Sequence, residues 1–158
     1  MQLNLAGARA ALDGSQLGKV LGFMRVLLMV DHAVQACSKR MHTNYGVTAS
    51  QRLLLRTVGR FPGISAGDVA SIMEVDPSTI TPILFRLERE KAIQRRVDPS
   101  DRRRALLTLT PKGKKLDALR TGTVEAAVKK ALTRISEAER ATTERVLRVI
   151  AEELDRVK

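Results

Sequence analysis

With 158 residues, 44% of them hydrophobic, the chain can build the core of one domain or of two closely integrated lobes. Aromatic residues are only 3% and tryptophan is absent, so Leu, Ile, Val and Ala must do the packing, which favours helix on helix over a β-sandwich. The formal net charge of +11 points to a polyanionic partner, while the single cysteine, Cys37, excludes an internal disulfide and fits a reducing, cytoplasmic compartment.

Residues 1–15 show no periodic pattern and read as an N-terminal arm or a short extra helix. From Gln16 to about Asn44, Leu17, Val20, Leu21, Met24, Leu27, Leu28, Val34 and Met41 recur at intervals of three and four. This is a long helix whose apolar surface is wider than one stripe, so burial on two sides is expected. Its run Val20–Val30 is interrupted by Arg25 and ended by Asp31, and it reads as too short and too polar to span a bilayer, so no membrane partner is expected. Thr48-Ala49-Ser50-Gln51 has the form of a capping box and opens a helix through Leu53, Leu54 and Val58, which Phe61-Pro62-Gly63 ends. Ser65 caps a short helix holding Val69, Ala70 and Ile72 and ending near Glu74. Asp76 caps the next helix, with Pro77 at the first helical position, where a missing N–H costs nothing. Gln94–Val97 and Ala105–Leu109 then read as a two-stranded hairpin around an arginine-loaded loop. Thr110-Pro111 opens a long helix to Leu132, and Ser136 to Glu139 cap a last one with Val146, Leu147, Ile150, Leu154 and Val157 on its buried side. The fold class is mainly α with a small β-hairpin wing: a winged helix-turn-helix lobe over 48–110, flanked by a helical lobe of 16–47 and 111–158.

On the helix that Asp76 caps, Ile80, Ile83, Leu84 and Leu87 share one face. Ser78, Pro82, Phe85, Arg86 and Arg89 point the other way, with Pro77, Thr79 and Thr81 around the same outward start. Small hydroxyl side chains there let the backbone approach base edges, and the free N–H groups of a helix start favour phosphate. Arg86 can read a guanine or hold a phosphate, and Ser65, at the preceding helix start, is counted among the contacts. Phe85 is expected to pack against a neighbouring element rather than touch a thymine methyl. Between Arg95 and Lys115 eight basic residues face two acids, so the charge excess peaks on the wing. Asp101 and Arg103 lie two apart at the loop tip, so the carboxylate can fix the guanidinium for insertion into a narrow minor groove. Arg102, Arg104 and Lys112 are the expected phosphate contacts.

The runs Asp76-Pro77-Ser78-Thr79-Ile80-Thr81, Leu87-Glu88-Arg89, Asp101-Arg102-Arg103 and Leu109-Thr110-Pro111-Lys112-Gly113 resemble the multiple-antibiotic-resistance regulator (MarR) family of bacterial repressors. The resemblance covers about residues 16–158. It implies a homodimer joined through its first and last helices, with one recognition helix per subunit in the major groove of a double-stranded operator and one wing tip in the minor groove. It also implies a small-ligand pocket between the two lobes, usually for aromatic acids or other phenolic compounds, for which His32, Arg52 and Arg56 are the candidate polar groups. Thr81-Pro82-Ile83-Leu84 is similar to the hydroperoxide-sensing branch, but Cys37 lies at the end of the first helix, where that branch carries its cysteine at the start. The N-terminal extension is similar to the urate-responsive branch, without that branch's tryptophan.

The remaining polar residues give no chemistry. His32, Cys37 and His42 lie at offsets of five and ten, around the helix rather than on one face, so no metal site is expected. No hydrolase elbow, phosphate-binding glycine loop or paired carboxylate occurs, so neither enzyme nor cofactor is implied. The charge alone also fits an architectural protein that coats or bends DNA without regard to sequence.

Overall fold

A computed structural model describes residues 17–101 and 104–157, so the N-terminal arm and the loop residues Arg102 and Arg103 lie outside the described residues. The elements in order are α1 Gly18–Tyr45, α2 Ala49–Arg60, β1 Ile64–Ser65, α3 Ala66–Met73, α4 Pro77–Arg89, β2 Ile93–Val97, β3 Ala105–Leu109, α5 Pro111–Asp117, α6 Val124–Leu132 and α7 Glu137–Asp155.

Local chemistry sets most boundaries. Gly46, at φ 73, ends α1 in the left-handed region that costs glycine nothing. Thr48 and Gln51, Ser65 and Asp68, and Ser136 and Glu139 all form complete capping boxes, each satisfying two backbone N–H groups. The expected hairpin gains a third strand: Ile64 pairs with Leu107 and Ser65 with Leu106, in a sheet of order β1-β3-β2. Two residues are too short for an alternating pattern to announce them.

One expected element is absent as such. The long helix from Thr110-Pro111 to Leu132 is broken between Ala118 and Thr123, where Gly122 takes φ 66 and Thr123 caps α6 by accepting from the Ala126 N–H. Arg52 of α2 fills the break. It is 2% exposed and donates to the Leu116 carbonyl, to the Leu119 carbonyl at 2.7 Å, and through Nε to Glu125 at 2.8 Å. Carbonyls freed by the end of α5 thereby find a donor, as buried helix ends require.

The core lies in the winged lobe, where Leu54, Leu55 and Val58 of α2 meet Val69, Ile80, Leu84, Leu87, Ile93 and Leu107. Gly113 seats α5 against the α4–β2 corner, since a Cβ there would overlap the Ala92 carbonyl oxygen. The outer helices are different. In α1 only Met41 is buried, and α6 and α7 bury no residue fully. Val20, Leu21, Phe23, Met24, Leu28 and Met29 stay exposed, so a single chain does not supply the two-sided burial expected of α1. The expectation that this segment is too short for a membrane also needs correcting, because the 28-residue helix is long and apolar enough to cross one by length and composition.

Candidate nucleic-acid interface

The surface of interest begins at the turn between α3 and α4. Asp76 accepts from the Ser78 N–H at 2.7 Å, and Pro77 occupies the first helical position, so α4 starts with a satisfied cap and an open N-terminal face. Ser78, first through its hydroxyl and then its backbone N–H, holds the Asp76 carboxyl below its ordinary 3.8. Ile80, Leu84 and Leu87 turn inward and are buried, as the periodicity predicts. Pro77, Ser78, Thr79, Thr81, Pro82, Arg86 and Arg89 are all exposed. Thr81 donates its hydroxyl to the Pro77 carbonyl at 2.7 Å, which leaves its oxygen free to accept. Phe85 points outward as its helical position predicts, on the face it shares with Arg86 and Arg89, but the expected packing against a neighbouring element is not found: it is 62% exposed. With Ile80, Ile83, Leu84 and Leu87 already covering the inner face, position 85 has only solvent left to face.

The cations of this surface are mostly tethered. Arg86 Nε bonds Glu90 at 3.0 Å, one helical turn on, which steadies the side chain along the exposed face and leaves its terminal nitrogens unassigned. Lys112 donates to the Glu90 backbone carbonyl at 2.8 Å and so caps the C-terminal end of α4. Arg95 pairs with Glu88 at 2.9 Å, fastening the first wing strand to the same helix end.

The wing loop is closed by its backbone, with Asp98 N–H donating to the Arg104 carbonyl at 3.0 Å and Arg104 N–H to the Asp101 carbonyl at 2.9 Å. Asp98 also accepts from the Ser100 hydroxyl at 2.6 Å and N–H at 2.9 Å, and these bonds hold its carboxyl below the usual pKa of 3.8. Arg104 reaches Asp68 at 2.8 Å. That ties the wing to the cap of α3, because Asp68 is the partner of Ser65 in its capping box. Ser65 is itself buried, its hydroxyl bonded to Asp68 at 2.7 Å. Hydrogen bonds from Ser65, with the Arg104 charge behind them, hold the Asp68 carboxyl low. Sequence spacing did not reveal this tie, since Asp68 and Arg104 come from different elements 36 positions apart. The expected Asp101 and Arg103 pairing lies outside the described residues at its arginine, as does Arg102.

The three residues expected to hold a ligand do not converge. Arg52 has its donors engaged at the helix break, and Arg56 bonds Asp117 at 2.9 Å. His32 lies on the exposed face of α1 with Leu28 and Met29. Arg52 is therefore corrected from a ligand group to a structural one, because its buried guanidinium already serves three acceptors.

A profile of the MarR family matches residues 47–105, which is the stretch holding α2, the helix-turn-helix and the wing up to β3. A candidate transcriptional regulatory protein for the hcr operon of Thauera aromatica is 34% identical over 114 residues, covering 70% of this chain and 66% of its own length. The transcriptional repressor MdtR of Bacillus subtilis is 35% identical over 68 residues, 43% of this chain and 44% of its own. The chain thus spans about half to two thirds of the length of these relatives. A crystal structure of MarR superposes with a TM-score of 0.60 at 28% identity, over 84% of this chain and 90% of that one. The regulator SlyA superposes at 0.67 and 25% identity, over 84% and 93%.

Proposed function

The chain belongs to the MarR family, and on that footing we propose that it is a transcriptional repressor that binds a pseudo-palindromic DNA operator as a homodimer and is released by a small hydrophobic ligand. The observation that carries the reading is the outward face of α4, where small hydroxyl residues at an open helix start lead into Arg86 and Arg89 while Ile80, Leu84 and Leu87 on the opposite face are buried. Such a helix start fits the major groove, with Ser78, Thr79 and Thr81 toward base edges and Arg86 on a guanine or a phosphate. Phe85 joins this face and suits a thymine methyl. Pro77 and Pro82 shape the close approach, and Arg89 serves a phosphate.

Arg104 and Lys112 are assigned to positioning. Their bonds to Asp68 and to the end of α4 hold wing and helix in one rigid unit, and both retain donors for phosphate. Arg102 takes the neighbouring phosphate and Arg103 the minor groove, supported by Asp101. The buried Ser65 is given no DNA contact.

The dimer reading rests on α1 and α7. Val20, Phe23, Met24, Leu27 and Leu28 face Ile150 and Leu154 across an open apolar groove of about 580 Å³. An apolar face of this extent on a chain working at DNA is suited to a second copy, whose two-fold symmetry would place the recognition helices one helical turn of DNA apart. This work is done in the cytoplasm, where the DNA is.

Arg103→Ala tests the wing. Loss of one minor-groove arginine should weaken operator binding by about 1–3 kcal/mol, measured by fluorescence anisotropy at matched salt. An unchanged affinity would remove the wing tip from the interface.

A further inference from the structure

Where the end of α2 meets β2, β3 and α5 lies a cleft of about 420 Å³, within the range of small-molecule sites. Val58, Pro62 and Leu109 give it apolar walls, and Gln94, Arg96, Thr108, Lys114 and Asp117 give it polar ones. Gly59, also on the cleft, lets α2 close on β3 and α5, since a Cβ there would stand 3.0 Å from Leu109 Cδ1 and 3.1 Å from an Asp117 carboxylate oxygen. Successive residues of a strand face opposite sides, and Arg95 turns to Glu88 at the end of α4. Gln94 and Arg96 therefore stand on the sheet face away from α4.

The polar groups of this cleft are unevenly matched. Its carboxylate, on Asp117, is already held by Arg56 at 2.9 Å. Arg96 and Lys114 are exposed, and neither has a side-chain hydrogen bond or ion pair among the described residues. Gln94 donates to the Thr108 hydroxyl oxygen at 3.1 Å, which leaves the Thr108 proton and the second Gln94 amide proton to donate outward. Two positive charges and two neutral donors thus share one recess whose carboxylate is taken.

We propose that this cleft binds the phosphate group of a small phosphomonoester. A phosphomonoester is close to doubly charged at neutral pH and carries three strong acceptor oxygens, which matches this donor set better than a carboxylate does. Arg96 supplies a planar fork to two of the oxygens and Lys114 a point charge to the third, with the Thr108 hydroxyl and Gln94 amide completing the cradle. The organic part of the ester lies on Val58, Pro62 and Leu109. A backbone phosphate of DNA shares part of this chemistry, but it carries a single charge, and the sheet face concerned turns away from α4. An occupant bridges α2, the wing strands and α5, so it stabilises the winged lobe without covering the outward face of α4. The binding does not rest on the repressor reading above.

The test titrates phenyl phosphate calorimetrically into the full-length protein without DNA, at about pH 8, where the ester is fully doubly charged. Phenyl phosphate should bind at one site per chain, and phenyl sulfate, with one charge fewer, on the order of tenfold more weakly. Arg96→Gln and Lys114→Gln should each weaken phenyl phosphate on the order of tenfold, while Lys130→Gln, which removes an exposed charge from α6, should stay within about twofold. No binding overturns the site, and so does a loss in Lys130→Gln equal to that in Arg96→Gln, because the anion would then answer to net charge alone. Phenyl sulfate binding as tightly as the phosphate overturns the choice of a dianion. A second arm uses duplex from upstream of the chain's own gene, which Arg96→Gln and Lys114→Gln should bind no more weakly than Lys130→Gln does. A further loss on the order of tenfold in both would give the two cations to the DNA backbone and overturn the small-molecule assignment. A protein that binds phenyl phosphate but prefers no duplex would end the repressor reading and leave this site standing.

Discussion

Arg52 shows how a single side chain can be misread from its neighbours. In sequence it is an arginine near the start of an amphipathic helix, and a ligand carboxylate is a reasonable partner. In the fold its acceptors come from positions 64, 67 and 73 residues later, all created by a helix break that periodicity did not show. Removing it would take a buried donor from the Leu116 and Leu119 carbonyls and leave Glu125 without its partner. Arg52→Met should therefore cost about 3 kcal/mol in urea denaturation, although Arg56→Met, whose side chain is 43% exposed, should cost under about 1 kcal/mol. Equal costs would contradict the assignment of Arg52 to the break. Phe85 is the converse case: the same 100° spacing that put Ile80 and Leu84 inside put it outside, and only the neighbour that its apolar character led one to expect is missing.

Helices that begin with a cap were legible because a cap is local chemistry: a hydroxyl or carboxylate and its N–H partner lie within three residues. This held at Thr48, Ser65, Asp76, Thr110 and Ser136. The break before α6 carried the same signal in Gly122 and Thr123, but Leu116, Leu119 and Leu132 continued the apolar pattern across it and outweighed it. The two-residue β1 was illegible because its pairing depends wholly on β3. Caps also give the fold a pH dependence. Asp68 and Asp76 are held below 3.8 in the folded chain, so their stabilisation is complete above 3.8 and is lost as pH falls through the lower, folded values. Asp68→Asn and Asp76→Asn should each reduce the slope of the acid limb in a stability-against-pH series followed by circular dichroism. An unchanged slope would show that these carboxylates ionise alike in folded and unfolded chains. Asp68→Asn should in addition loosen the wing, because Arg104 loses its charge partner.

Taken together, the chain has a packed winged lobe and outer helices left apolar and open. The core of the first was readable from alternation and period, and so was the outward face of α4. The second posed a question that sequence could only partly state, because a helix buried in an assembly and one exposed in a single chain have the same pattern. A polar substitution on the open face of α1, such as Leu28→Glu at a residue 65% exposed, should leave the winged lobe folded yet shift the sedimenting species from dimer to monomer, with loss of tight operator binding. A dimer that survives this change and a parallel Met24→Glu would move the interface elsewhere. The net charge of +11 guarantees some affinity for any DNA, so affinity alone does not distinguish a regulator from a protein that merely coats the duplex. The most direct measurement is therefore the ratio of dissociation constants for the DNA upstream of the chain's own gene and for random duplex, at about 150 mM salt. A specific repressor should show a preference of about a thousandfold or more, with two subunits per site. A ratio near one would contradict that reading and leave the face of α4 a sequence-blind surface.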